Sequence, residues 1–297
     1  MTLQKALSKS LRIFGILKRV LKFSKKFRIG FILFLAILAL GLASNFSPPY
    51  YSYLYYLPTG MQPKFESIDL IFGTTADGRS VFWALTHAIM NSLIIAFVTA
   101  MIACHIGLVF GLIAGMKGGA VDKTVMFITD AFIAIPGLPL TIMLVMILKP
   151  IVNLIIIGII ISIISWPWSS RMIRAMALSI KEKDFITSAQ LSGMSTLKII
   201  FLEIFPHILG FHLTNIINTM LGAIGAEVGL AFLGLSILEI DTLGTMIYWI
   251  QRYGAMLRNM WWWVLPPVMT LIFLFIALYL ISAGLQEYLN PRLRGGR

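Results

Sequence analysis

The 297-residue chain is 59% hydrophobic and only 12% charged, with a mean hydropathy of +0.90 and a net charge of +12. That is too little charge to keep a soluble domain of this size dispersed, so the composition excludes an ordinary soluble protein and points to a bundle of spanning helices. The single cysteine, Cys104, excludes an internal disulfide, and none of the four histidines forms an i,i+4 pair with an acid that could begin a metal site.

Residues 1–28 carry nine Lys/Arg, with Leu3, Leu7, Leu11, Phe14, Leu17 and Leu21 at helical spacing among them. The segment reads either as an amphipathic helix on the inner leaflet or as a mobile basic tail. The basic start runs on to Arg28, and no clear small-residue cleavage site follows, so no cleavable signal peptide is read. A bilayer is crossed by about 20 apolar residues. The first span is expected at 29–45, followed by an outer loop over 46–80 rich in Tyr and Pro. The core, 81–286, then holds five more spans. The second is placed at 89–116, with the residues before it at the interface. The third is placed at 124–148, kinked by Pro136 and Pro139, which remove helical hydrogen bonds. The fourth occupies 150–170, between Lys149 and Arg171; the fifth lies within 204–238 and the sixth within 259–286. Trp261, Trp262 and Trp263 mark the outer interface where the sixth begins. A tail over 287–297 ends the chain.

Six spans place both ends on one side. Lys and Arg divide 19 to that side and five to the other, which puts the termini in the cytoplasm of a multi-pass plasma-membrane protein. The same bias explains the basic charge without nucleic acid. Gly107, Gly111 and Gly115 form a small-residue ridge on the second span, suited either to packing within the chain or to pairing with another subunit. Gly222, Gly225 and Gly229 repeat the pattern on the fifth.

The longest cytoplasmic connection, 171–205, contains FITSAQLSGMSTLKIIFLEIF over 185–205. Residues 180–205 read as two short helices broken at Gly193, which allows a positive φ. Ser195 or Thr196 can cap the second helix, and Pro206 after Phe205 suits the first turn of the next span. The result is a compact knob that fits a socket on a partner. No Walker A sequence, HExxH or GxSxG elbow occurs; Gly111-Leu-Ile-Ala-Gly115-Met-Lys117 has the wrong spacing. No catalytic residue, metal site or cofactor is therefore expected in this chain, and uphill transport would draw on another subunit or on an ion gradient.

Several segments together resemble one family. Thr187-Ser188-Ala189, Gly193 and Phe205-Pro206 stand where permease subunits of ABC importers carry Glu-Ala-Ala, Gly and Leu-Pro, with Thr187 in place of the Glu. The segment Gly73-Thr-Thr-Ala-Asp77-Gly78-Arg79 is similar to the Gly-Thr-Asp-x-x-Gly-Arg-Asp of dipeptide/oligopeptide permeases, Ser80 replacing the last Asp. Asp130 to Pro136 is similar to their Asp-x-x-x-x-Phe-Pro. Ala226-Glu227 through Gly234-Leu235 is similar to Ala-Glu-x-x-Leu-x-Phe-Leu-Gly-Leu, and Leu289-Asn290-Pro291-Arg292 also matches. Over residues 66–294 the chain is identified as a member of this family, as the C-type subunit.

The resemblance implies an all-α polytopic fold, a six-helix core like that of type I ABC-importer permeases with cytoplasmic coupling helices. It implies ATPase coupling through Thr187, Ser188, Ala189, Gly193, Phe205 and Pro206. The expected partners are a second homologous permease, two ATPases holding ATP and Mg, an extracellular solute-binding protein and membrane lipid. The cargo is a peptide, an oligosaccharide or a metal chelate. Glu227, the one acid well inside an apolar run, faces either the path or a gate near the outer side, or is a structural acid hydrogen-bonded between helices. Asp130 and Pro136 are further path candidates, Asp130 with a structural role favoured. A carrier driven by an ion gradient would need a relay, for which only Glu227, Asp130 and His105 qualify.

Overall fold

The computed structural model describes residues 19–48 and 57–289. Most of the predicted amphipathic segment, the Tyr-rich stretch 49–56 and the Asn290-Pro291-Arg292 motif lie outside them. The helices are α1 (Lys25–Leu42), α2 (Val81–Lys117), α3 (Gly119–Ala134), α4 (Gly137–Leu148), α5 (Leu154–Lys181), α6 (Asp184–Leu191), α7 (Thr196–Phe232), α8 (Leu243–Arg252) and α9 (Trp261–Leu289). Polar caps fix where the long apolar runs start. Ser24 accepts the Phe27 N–H at 3.3 Å, Ser80 the Trp83 N–H at 3.4 Å, and Asn153 the Ile156 N–H at 3.0 Å. Ser80 thus does at α2 the capping an Asp would do.

α2 is one continuous helix of 37 residues, not a span at 89–116 behind an interfacial stretch. Residues 81–88 are apolar enough to continue the helix, and they are buried by the outer segment and α8 rather than by headgroups. α5 likewise runs eleven residues past the expected end at Ser170, because Arg171, Arg174 and Lys181 are good helix formers and charge does not stop a helix that leaves the membrane. The connection expected at 171–205 therefore begins at Glu182.

The largest departure is the third span. Instead of a kinked helix, α3 and α4 meet at 87° across Ile135, which is extended, and Pro136, which is also outside the helical region. Pro136 cannot donate to the α3 ladder and also pushes Ile135 out of the helical region. Pro139 does no such damage, since it falls in the first turn of α4 where its N–H would have no helical partner.

Packing settles how often the chain crosses. Gly30 of α1 lies against Ala277–Ile281 of α9 and Gly284 against Phe27, so these two helices are antiparallel. α2 and α5 run parallel: a Cβ at Gly107 would sit 2.4 Å from Ser169 Cβ, at Gly111 2.6 Å from the Ser170 carbonyl, and at Gly115 2.7 Å from Ala177 Cβ. Two parallel neighbours require the chain between them to return across the layer, so the bent α3–α4 pair counts as a crossing. With α1, α2, α5, α7 and α9 this makes six. Ser24 donates to Glu287 at 2.9 Å, closing the start of α1 onto the end of α9 and placing both on one face.

On the opposite face, residues 57–80 form a compact cap. Thr74 donates to the Pro58 carbonyl at 2.7 Å and Trp262 Nε1 to the Thr74 carbonyl at 3.1 Å, while Arg79 pairs with Asp241. The main core joins α2, α5, α7, α8 and α9 under this cap through Leu85, Ile89, Ile157, Ile224, Trp263 and Leu274.

Candidate functional site

On the face that holds the termini, α6 and the first turns of α7 form a projecting knob. Its turn is a Schellman motif: Gly193 lies at φ +73°, its N–H donates to the Gln190 carbonyl at 3.0 Å, and the Met194 N–H donates to Ala189 at 3.1 Å. Gly193 is thereby explained locally, since a φ of this sign disfavours side chains, and Ala189 and Met194 both pack against the buried cluster behind the turn. Ser195 takes the N-cap position of the next helix without a side-chain cap bond. Thr187 and Ser188 are exposed, and so are Phe185, Leu191, Leu197, Phe201 and Leu202. Exposed apolar side chains clustered in this way mark a contact with protein or membrane.

The knob is fastened to the helices behind it. Ile186 of α6 is fully buried with Ile199, Ile204 and Ile208 of α7, Ile173 and Ala177 of α5, and Leu112 of α2. Between Ile199 and Ile204 the helix is a π-helical turn, followed by Pro206. That turn puts Ile199 and Ile204, five apart, on one buried side. Phe205 is half-buried and Pro206 exposed.

A second feature lies at membrane depth. Gly137 packs against Ile164, near the middle of α5, so the α3–α4 break sits inside the layer. Ala134, Ile135, Pro136, Leu138 and Pro139 are nevertheless exposed in this chain. Open backbone at that depth is stable only against protein or water. A Cβ added at Gly229 of α7 would sit 4.0 Å from Leu138, and Gly222 and Gly225 are exposed with nothing within 4 Å of an added Cβ. The two glycine ridges thus differ: 107/111/115 is filled by α5, and 222/225 is open.

Asp130, on α3, pairs with Arg171 where both side chains are about half exposed; Asp122 makes a bidentate pair with Arg174 in a more sheltered place. Both clip α3 obliquely onto α5. Glu227 is 1% exposed. Its Oε1 accepts from Thr242 at 2.7 Å and Ser236 at 3.1 Å, both on the connection following α7. Thr242 also opens α8 in a reciprocal cap with Thr245. Glu227, Asp130 and Pro136 are therefore not brought together: one is buried at the outer end, one paired on the α3–α5 face, one at the open break.

Sequence reading missed α8, whose Thr242–Thr245 cap was a usable signal, and a polar cluster inside the layer. There Asn215 donates to Ser169 at 2.9 Å and Cys104 to Thr219 at 3.2 Å, while the His105 and His212 rings meet edge to face at 5.0 Å. His105 also bonds the Met101 carbonyl at 2.7 Å.

Residues 107–295 match the family model described as the inner membrane component of binding-protein-dependent transport systems. The chain is 30% identical to the oligopeptide transport system permease protein OppC of Lactococcus lactis over 223 residues, 75% of each chain. It is 28% identical to the dipeptide transport system permease protein DppC of Bacillus subtilis over 229 residues, 77% of this chain and 70% of that one. A chain of the inward-facing MetNI methionine ABC transporter shares the fold with a TM-score of 0.56 at 20% identity, over 70% of this chain and 95% of that one.

Proposed function

This chain belongs to the family of binding-protein-dependent transport inner membrane components, as a permease subunit of the dipeptide/oligopeptide ABC-importer kind, and from that premise we propose that it forms half of a translocation path for peptides. Its relatives are permeases and not enzymes; ATP and Mg belong to two separate ATPase subunits. A second homologous permease covers the open face of α7 and the α3–α4 break, and the path runs between the two. A solute-binding protein delivers cargo to the cap over 57–80. The side holding the termini is the cytoplasm.

The observation that carries the reading is the knob turned at Gly193 and welded through Ile186 and Ile199 to the ends of α2, α5 and α7. An exposed apolar surface so fastened cannot move alone. A partner that grips Phe185, Leu191 and Leu197 and closes on nucleotide would turn three spanning helices as one body, switching access from one side to the other. Peptide cargo is supported by the transport systems in which the curated relatives are named.

The test replaces Gly193 with Val. The chain should still insert, because the turn lies outside the layer, while ATPase subunits no longer co-purify and peptide uptake falls to background. Undiminished docking and uptake would remove the knob from the mechanism. Uptake of a sugar or metal chelate in place of peptides would leave the knob standing and overturn the cargo alone.

A further inference from the structure

The charge of this protein is not spread over its surface. Residues 1–28 hold nine Lys/Arg and residues 290–297 three, with no acid in either segment; these twelve are the whole net charge of +12. Between them, residues 29–289 carry twelve cations and twelve acids. The first acid in the chain is Glu66. Ser24 bonded to Glu287 brings the two basic ends to one face.

Within the described residues the cations differ in how they are held. Of the core's cations on this face, Arg171 is engaged by Asp130, Arg174 by Asp122, and Lys181 by the Met116 carbonyl at 2.8 Å, while Lys117, Lys123, Lys183 and Lys198 are exposed and scattered over separate elements. Arg19, Lys22, Lys25, Lys26 and Arg28 are all exposed, and no ion pair among the described residues includes any of them. Nor are they on a loose tail. Val20 and Phe27 are buried against Ile281, Phe23 meets Tyr288 edge to face at 5.6 Å, and Ser24 is fully buried. Five exposed cations are thus held in one place around a single acid, Glu287, which takes the Ser24 hydroxyl. Immediately after them, Ile29, Ile32 and Leu35 are exposed apolar residues of a spanning helix, which puts the cations at the level of the headgroups.

We propose that Arg19–Arg28 is a binding site for anionic phospholipid headgroups of the leaflet on the side of the termini, anchoring α1 and α9 as a pair. The chemistry required is a phosphate diester bearing net negative charge. Zwitterionic headgroups, whose own cation cancels the phosphate, would not satisfy it. Each exposed cation near such a surface contributes roughly fivefold in affinity, and the attraction is screened by salt.

The test uses the full-length chain, purified together with any subunits that accompany it, and measures bound lipid by native mass spectrometry with phosphatidylglycerol and phosphatidylcholine of the same acyl chains in competition. Phosphatidylglycerol should be retained in preference, and the preference should shrink as salt rises. Lys22→Gln with Lys25→Gln should cut it by more than about tenfold, while Lys22→Arg with Lys25→Arg keeps it; residues 1–28 retain seven basic residues in the Gln variant and nine in the Arg variant to hold topology. Equal retention of the two lipids by the unaltered protein overturns the proposal without any mutant. So does a Gln variant that keeps its lipid preference but loses its ATPase subunits, which would assign the cluster to an acidic protein surface instead.

Discussion

Thr242 donates a 2.7 Å hydrogen bond to Glu227, so the acid in the fifth span is held by the residue that caps the next helix. Deleting the acid takes the acceptor from the buried Thr242 hydroxyl and the half-buried Ser236 hydroxyl and leaves a void. Glu227→Ala should therefore cost about 2–5 kcal/mol and lower the thermal midpoint of the purified protein by several degrees. Glu227→Gln keeps an acceptor in place and should cost less than about 1.5 kcal/mol. If both variants melt like the unaltered protein and only transport is lost, Glu227 acts as a gate and its bonds to the outer connection are incidental.

The two glycine ridges make opposite predictions. Gly111→Val would drive a branched side chain against the Ser170 carbonyl and Ile173, and backbone cannot retreat by the ångström required. Little folded protein should reach the membrane. Gly222→Leu meets nothing within 4 Å in this chain, so the monomer should fold normally; the cost should appear as lost pairing with the second permease or lost uptake. Expression and fluorescence-detected size-exclusion profiles separate the outcomes. A Gly222→Leu chain with full uptake would mean that α7 faces lipid there.

What could be read from the residues was whatever depends on local chemistry: apolar run length, the Pro136 interruption, the turn at Gly193 and the small-residue ridge at 107/111/115. What could not be read depends on partners far along the chain. Nothing near Pro136 tells a 30° kink from an 87° break, because that is decided by whether protein or lipid receives the freed carbonyls. Arg171 and Arg174 looked like the edge of a loop, since their answering acids lie 41 and 52 residues away on a helix whose direction was not known. The burial of Glu227 required α8, which is too short and too mixed in polarity to stand out by composition.

The paired acids of α3 differ in shelter, and the difference is measurable. Asp122 and Arg174 have side chains 17% and 30% exposed and share two hydrogen bonds; Asp130 and Arg171 are 57% and 44% exposed with one. Asp122→Asn should cost about 1–2 kcal/mol and Asp130→Asn less than about 1 kcal/mol, with the second fading further in high salt. Chemical denaturation in detergent checks the order. Equal losses would show that α3 is held on α5 mainly by its apolar contacts.

The π turn before Pro206 poses a choice between two effects. Pro206 has no N–H and its ring would clash with the carbonyl four residues back in a regular helix, so Pro206→Ala would supply one backbone donor and permit a regular α-helix from Thr196 onward. Removing the extra residue of the turn, however, would rotate everything before it by about 100° and carry Ile199 out of the cluster it shares with Ile186 and Ile204. A gained hydrogen bond is worth about 0.5–1.5 kcal/mol, whereas exposing Ile199 alone forfeits about 1.5–3 kcal/mol, and the contacts of Ile186 would be lost with it. Burial wins, and the turn should survive the substitution. Cys104 is buried, so thiol labelling of an introduced cysteine reports the register directly. In a Pro206→Ala background, Ile199→Cys should stay slow to label and Leu197→Cys, at an exposed position, should stay fast. Fast labelling at 199 would mean that proline, and not the isoleucine cluster, sets the angle between knob and span.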